Sequence, residues 1–327
     1  LLQTAMNQFK EFGHRTLILT YNVALVSDIK RTMYLMGVGS SVENGGVKVN
    51  TVISFLREIF DELGVAGRPN LDFSNHYKSQ CEEFDELLAS GALSKSDVQA
   101  LIYKQPEEFF FDFVAVDEAQ DCPAYEVAVL NGLFESEKLV IADGVDQNLR
   151  GAQARWPQET KKTQTVPLKK CLRMKRNLAV FANSVARCAG IDWGIEPNSS
   201  APGGRVLILE GACADHPEML LGLLREAEHE GNSAVDLLYC VPNKQSGQAS
   251  GSLTNALKQL NWEVWNGTDN EERRKPPLSI DSHRVVTFQS CRGLEGWCVV
   301  LEQLDVHVLS DYYRTLDAET TSNSDHG

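Results

Sequence analysis

The segment Phe111-Asp112-Phe113-Val114-Ala115-Val116-Asp117-Glu118-Ala119-Gln120-Asp121 constrains the fold more than any other. A short apolar run, rich in valine and phenylalanine, ends abruptly in two acids. A second polar pair, Gln120 and Asp121, stands close behind. Runs of this kind are expected as strands buried on both faces of a parallel sheet. Parallel strands need helical crossovers, so the rest of the chain must supply helices between strands. Ligands of open α/β sheets bind at the carboxyl ends of the strands, where Asp117 and Glu118 stand. One acid of such a pair can hold Mg²⁺ while its neighbour handles a water proton, as nucleoside triphosphate hydrolysis requires. Taken alone, the pair is equally readable as a solvated acidic turn.

The required rhythm is present. A helix over 1–12, closed by Gly13, presents Leu2, Ala5, Met6 and Phe9 on one side. Strands are expected at Thr16–Thr20, Val47–Val52 and Lys138–Ala142, with helices over 23–36, 53–63 and 125–134. The acidic, helix-patterned stretch 68–106 interrupts the alternation and reads as a small insertion. A second alternating set begins near Val166. Its expected strands are Val166–Leu168, Arg205–Leu209, Asp236–Val241, Arg284–Phe288 and Cys298–Glu302. Its expected helices are 175–188, 217–230 and 252–260. The Gly-, Pro- and Gln-containing stretch 151–165 is the expected linker. Two α/β domains follow, at 1–163 and 164–327, with a polar tail from about 315.

The 327 residues are enough for two domains with real cores. A net charge of −14, from 31 basic and 45 acidic residues, argues against a protein that coats nucleic acid by bulk charge. A local basic groove is still allowed, because binding depends on where charge sits. The eight cysteines form no CxxC pair and no zinc-finger spacing with histidine, which points to reduced thiols. No apolar run approaches membrane-spanning length. The expectation is a cytoplasmic monomer with no membrane partner.

Several strand ends carry polar residues in a fixed order. They are Thr20-Tyr21-Asn22, Thr51, Asp117-Glu118-Ala119-Gln120-Asp121, Asp143 to Gln147, and Leu168 to Arg173. The last set is Thr287 followed by Arg292-Gly293-Leu294-Glu295-Gly296-Trp297. This ordered set resembles the UvrD/Rep-like superfamily 1 helicases, over about residues 1–305. The resemblance implies two RecA-like parallel-sheet domains of the P-loop NTPase type, with ATP and Mg²⁺ bound in the cleft between them. It also implies movement along single-stranded DNA or RNA.

What the resemblance implies for single residues is specific. Asp117 would coordinate Mg²⁺ and Glu118 would polarise the attacking water. Gln120 and Asp121 would couple this site to the second domain, or would simply cap the helix before which Pro123 stands. Gln147 would sense the γ-phosphate, although it lies four residues after Asp143 where the family places three. Arg173 would reach across the cleft as an arginine finger, although Cys171 and Leu172 replace the family's Asn and Tyr. Gly293 and Glu295 would contact the nucleotide. Arg292, in place of the family's Lys, and Thr287 would hold the nucleic-acid backbone, as would Thr20, Tyr21, Asn22 and Thr51. Phe55 reads as core, in helical register with Ile59 and Leu63. Trp156 stands near where the family has a base-stacking aromatic, but a lone Trp more often packs.

The family's phosphate loop, GxxxxGK[ST], is not in this sequence, and nothing after Glu302 matches the family's last motif. The expectation is a core piece of a longer reading frame, with weak or no hydrolysis by itself. The alternative is a helicase-like module that binds single-stranded nucleic acid or a protein without turnover.

Overall fold

A computed structural model describes residues 2–38, 46–68, 71–142, 156, 171, 174–190, 194–242 and 249–305. The chain builds two four-stranded sheets, both parallel throughout, with helices packed on them. The first half runs α1 (Leu2–Phe12), β1 (Thr16–Thr20), α2 (Val23–Leu35), β2 (Val47–Thr51), α3 (Val52–Leu63), α4 (Phe73–Ser90) and α5 (Lys95–Lys104). It continues with β3 (Phe113–Val116), α6 (Ala124–Leu133) and β4 (Leu139–Ile141). The second half runs α7 (Arg176–Cys188), α8 (Pro217–His229), β5 (Leu237–Val241), α9 (Ala249–Gln259), β6 (Val264–Asn266), β7 (His283–Thr287) and β8 (Cys298–Leu301).

The first sheet has the order β2-β1-β3-β4, so the Asp-Glu strand is internal. The two-residue period of each strand feeds two cores. Leu17 and Leu19 of β1, with Val114 and Val116 of β3, face a core built with Phe55, Phe60, Phe84, Phe111 and Leu130. Ile18 and Ala115 face the other way, onto Ala5, Met6, Val26 and Met33. Phe55 is fully buried, with ring centroids 6.1 Å from Phe134 and 6.3 Å from Phe111. The expected core role of Phe55 therefore holds, and Ile59 lies in the same cluster.

The stretch 68–106 is helical, as expected, and is part of the first core. Asp72 caps α4 by accepting from the amide of Asn75, and Ser94 with Asp97 forms a capping box on α5. Tyr77, Cys81, Phe84, Val98 and Leu101 from these helices line the same apolar cluster as the sheet.

The second sheet has the order β6-β7-β5-β8. Every residue of β5 is buried. Leu237, Tyr239 and Val241 face α8 and α9, while Leu238 and Cys240 face the opposite side. Two strand assignments need correction. Arg205–Leu209 is irregular backbone, and Ile208 is 87% exposed. An apolar run alone carries no information on whether a partner strand reaches it. Left-handed glycines flank it at Gly204 and Gly211. Conversely, β6 is a strand of three residues, too short for its periodicity to register. The Val166–Leu168 strand, most of the 151–165 linker and the polar tail lie outside the described residues. Among the described residues, no helix is long and apolar enough to cross a membrane.

Candidate functional site

The carboxyl ends of β1 and β3 lie side by side, because Leu19 pairs with Val116 and the amide of Asp117 donates to Leu19 O at 2.8 Å. Beyond Asp117 the chain turns sharply. Glu118 has φ 54° and ψ 41°, the left-handed region, and a 3₁₀ turn over Ala119–Asp121 follows. Glutamate in this conformation costs on the order of 1 kcal/mol or more, and such strain concentrates at functional sites. The turn is fixed by the amide of Ala119 donating to Ala142 O at 2.9 Å. Trp156 Nε1 donates to Ala119 O at 3.0 Å, and its ring packs on the first core.

Two side chains meet the acids. Gln120 Nε2 donates to Glu118 Oε2 at 2.6 Å. Arg292 Nη2 lies 3.5 Å from Glu118 Oε2, and Arg292 Nη1 donates to Asp121 Oδ2. Asp121 is buried, and its Oδ1 has no hydrogen-bond partner. The capping alternative for Gln120 and Asp121 fails, since α6 begins after Pro123 with no side-chain cap. Both side chains instead point into the acidic turn.

Arg292 belongs to the loop 288–297 between β7 and β8, so this contact joins the two sheets. α2 holds the loop in place. Asn22 caps α2 by accepting from the amide of Ala24 at 3.0 Å, and its Nδ2 donates to Ser290 O at 2.8 Å and Arg292 O at 2.6 Å. Gly293 has φ +75°, and a Cβ there would lie 2.6 Å from Leu25 Cδ2. Thr287 Oγ1 accepts from the amide of Ser290 at 3.2 Å and donates to Ser290 Oγ at 3.0 Å, bracing the turn. Glu295 is exposed, and its carbonyl accepts from Arg284 Nη2 at 2.5 Å.

The rest of α2 continues the junction. Ala24 packs with Leu238, Cys240, Trp265 and Val286 of the second half. Ser27 Oγ donates to Arg273 O at 2.7 Å. Asp28 accepts from Arg284 at 3.1 Å, and the Arg284 side chain is 4% exposed. Burial raises the Asp28 carboxyl above its ordinary range and lowers the Arg284 guanidinium below its own, while each partner's charge opposes the shift.

Other residues singled out from the sequence sit deeper. Thr20 is fully buried, and Thr51, 8% exposed, caps α3 by accepting from the amide of Ser54 at 3.1 Å. In this arrangement Thr20 turns no hydroxyl to solvent. The Tyr21 hydroxyl donates to Glu126, which also accepts from Tyr77 at 2.9 Å. Burial and the Glu126 carboxylate push the Tyr21 phenol far up, so it stays protonated. Gln147, Arg173 and Asp143 lie outside the described residues.

The structure thus brings Asp117, Glu118, Gln120, Asn22, Arg292 and Gly293 to one junction. Sequence reasoning missed the Glu126–Tyr77 pairing and the Asp28–Arg284 clamp. Neither has a local signal, because each partner is remote along the chain. It also left open what Asp121 touches. The acids are hard oxygen donors of the kind that hold Mg²⁺, which usually takes only one or two protein carboxylates. The unpartnered Asp121 Oδ1 fits such a donor set. Among the described residues no cluster of three or more His, Cys, Asp or Glu is placed to bind a metal by itself. Arg292 now supplies the positive charge that Glu118 and Asp121 need. Neither a comparison with protein-family models nor one with curated proteins finds a match for this chain.

Proposed function

We propose that the chain is the core of an ATP-dependent helicase or translocase of the UvrD/Rep-like superfamily 1 kind, with two RecA-like domains. One observation carries this reading: the acidic strand end of the first sheet meets the Arg292 loop of the second. A nucleotide bound there would touch both halves, which is what coupling hydrolysis to relative movement requires. Asp117 would hold Mg²⁺, the ion that offsets charge on the phosphates. Glu118 would orient and deprotonate water. Gln120 fixes one of its oxygens, on a backbone held in the left-handed region. Arg292 would exchange carboxylates for phosphate oxygens, which it can hold bidentately. Nucleotide entry would then loosen the Asp121–Arg292 tie, and nucleotide loss would restore it. Single-stranded nucleic acid would run over both halves near Tyr21, Asn22 and Thr287.

A second reading is favoured by the engagement of Glu118 with Gln120 and Arg292. On that reading the chain binds single-stranded nucleic acid without turnover. The test is ATP turnover by the full-length protein with and without single-stranded DNA or RNA, alongside oligonucleotide binding by fluorescence anisotropy. The motor reading expects stimulated turnover, lost in Glu118→Gln while nucleotide binding persists. Oligonucleotide binding without turnover would select the second reading. Neither binding nor turnover would overturn both.

A further inference from the structure

Cys240 and Cys291 form a dithiol that neither reading of the function uses. Cys240 lies in β5, fully buried, with its carbonyl accepting from the amide of Glu302 at 2.9 Å. Cys291 is half-buried in the loop 288–297, immediately before Arg292. Both pack in one apolar cluster with Trp265, Val286, Phe288 and Leu294. The Cys291 thiol donates to Phe288 O at 3.1 Å, and its side chain packs against the cluster that holds Cys240. The two cysteine side chains therefore share one apolar cluster at the base of the loop. Asn22 and the Gly293–Leu25 contact hold the loop there from outside.

The two thiols are unequal. The neighbouring Cys240 side chain lowers the Cys291 thiol below its ordinary value, while the Cys291 side chain and burial push Cys240 upward. Burial also pushes Cys81 and Cys213 up, each to about 12. Thiolate character and access favour Cys291 over these buried thiols as the attacking group.

We propose that Cys291 and Cys240 are a redox-sensitive pair, which a hydroperoxide converts to a disulfide that ties the Arg292 loop to β5. The Cys291 thiolate attacks one peroxide oxygen, the O–O bond breaks, and the departing hydroxide takes a proton and leaves as water. Cys291 is then a sulfenic acid. The Cys240 sulfur attacks the Cys291 sulfur, the S–O bond breaks, and the hydroxide leaves with the Cys240 proton as a second water. Two thiols lose two electrons and one hydroperoxide gains them.

The experiment treats the 327-residue chain with hydrogen peroxide at equimolar and tenfold levels. It maps cross-linked peptides by mass spectrometry and follows amide exchange over residues 288–297. The expected result is a Cys240–Cys291 link that dithiothreitol removes, with slower exchange across the loop in the linked form. Cys291→Ser should abolish the link. Cys240→Ser should leave Cys291 trapped as a sulfenic acid that dimedone labels. Cys240→Ala serves as the second variant if the serine is not tolerated at the buried site. Oxidation of Cys291 to sulfinic acid with Cys240 still reduced would overturn the proposal. So would a link from Cys291 to any other cysteine, or no reaction at either level in folded protein. None of these readouts depends on ATP or nucleic acid, so failure here leaves the proposed function standing, and the converse holds.

Discussion

The Asp121–Arg292 pair makes a quantitative prediction about how the two halves are joined. Arg292→Ala removes the only guanidinium that the described structure shows against Asp121, whose side chain is 5% exposed and already has one unpartnered oxygen. A buried carboxylate left without its partner costs about 3–5 kcal/mol when the pair is fully enclosed. The Arg292 side chain is 16% exposed, so water can reach the vacated space, and about 2–3 kcal/mol is expected. Arg292→Met with Asp121→Leu removes both charges and keeps volume, and should cost less than Arg292→Met alone. A urea-denaturation cycle over wild type, both single variants and the double variant measures the coupling. A coupling of at least about 1 kcal/mol is expected for groups in direct contact. Additive effects within about 0.3 kcal/mol would refute the reasoning, because they would mean that the acid and the guanidinium do not meet in solution.

Three further perturbations separate the parts of the structure. Phe55→Ala should cost about 3–5 kcal/mol by thermal or urea unfolding, because it empties the centre of the four-phenylalanine cluster of Phe55, Phe109, Phe111 and Phe134. Gly293→Ala should cost about 1–3 kcal/mol and speed amide exchange in the loop, since it adds left-handed strain and a Cβ against Leu25; an unchanged midpoint would show that the loop does not sit on α2. His283, buried and stacked on Trp262 at 4.3 Å, has its imidazole lowered to about 4 by burial. The unfolded chain therefore binds this proton first, so His283 should remove up to about 3 kcal/mol as pH falls from 6.5 to 4; His283→Gln should flatten that part of the stability–pH curve.

What the sequence made legible follows from how local each signal is. The buried strands β1, β3 and β5 are built on continuous apolar runs, and α1, α2 and α3 carry a 3.6-residue stripe, so each could be read without knowing its neighbours. Gly13 closing α1 was equally local. The strand expected at Arg205–Leu209 shows the limit: its composition suits a strand, but only pairing decides one, and no pairing is encoded in five residues. The site divides in the same way. Asp117 and Glu118 were visible because an acid pair interrupts an apolar run. Asn22 binding the carbonyls of Ser290 and Arg292, 268 and 270 residues away, was not visible as such, because its local role as a cap explains it fully. The 68–106 stretch is helical as its pattern suggests, but its exposed acidic face dominates composition, so the burial of Tyr77, Cys81 and Phe84 in the first core was not legible.

Among the described residues, α2 and the 288–297 loop carry much of the junction. α2 gives the first half a contact row of Asn22, Ala24, Leu25, Ser27 and Asp28, which meets the 288–297 loop, the second sheet and Arg273. The ion pair of Asp28 with Arg284 sits at the far end of this row from Asn22. Arg292 meets the first half twice, through its carbonyl on Asn22 and through its guanidinium on Glu118 and Asp121. A ligand that competes for the guanidinium would act on the second tie and leave the backbone tie to α2 in place.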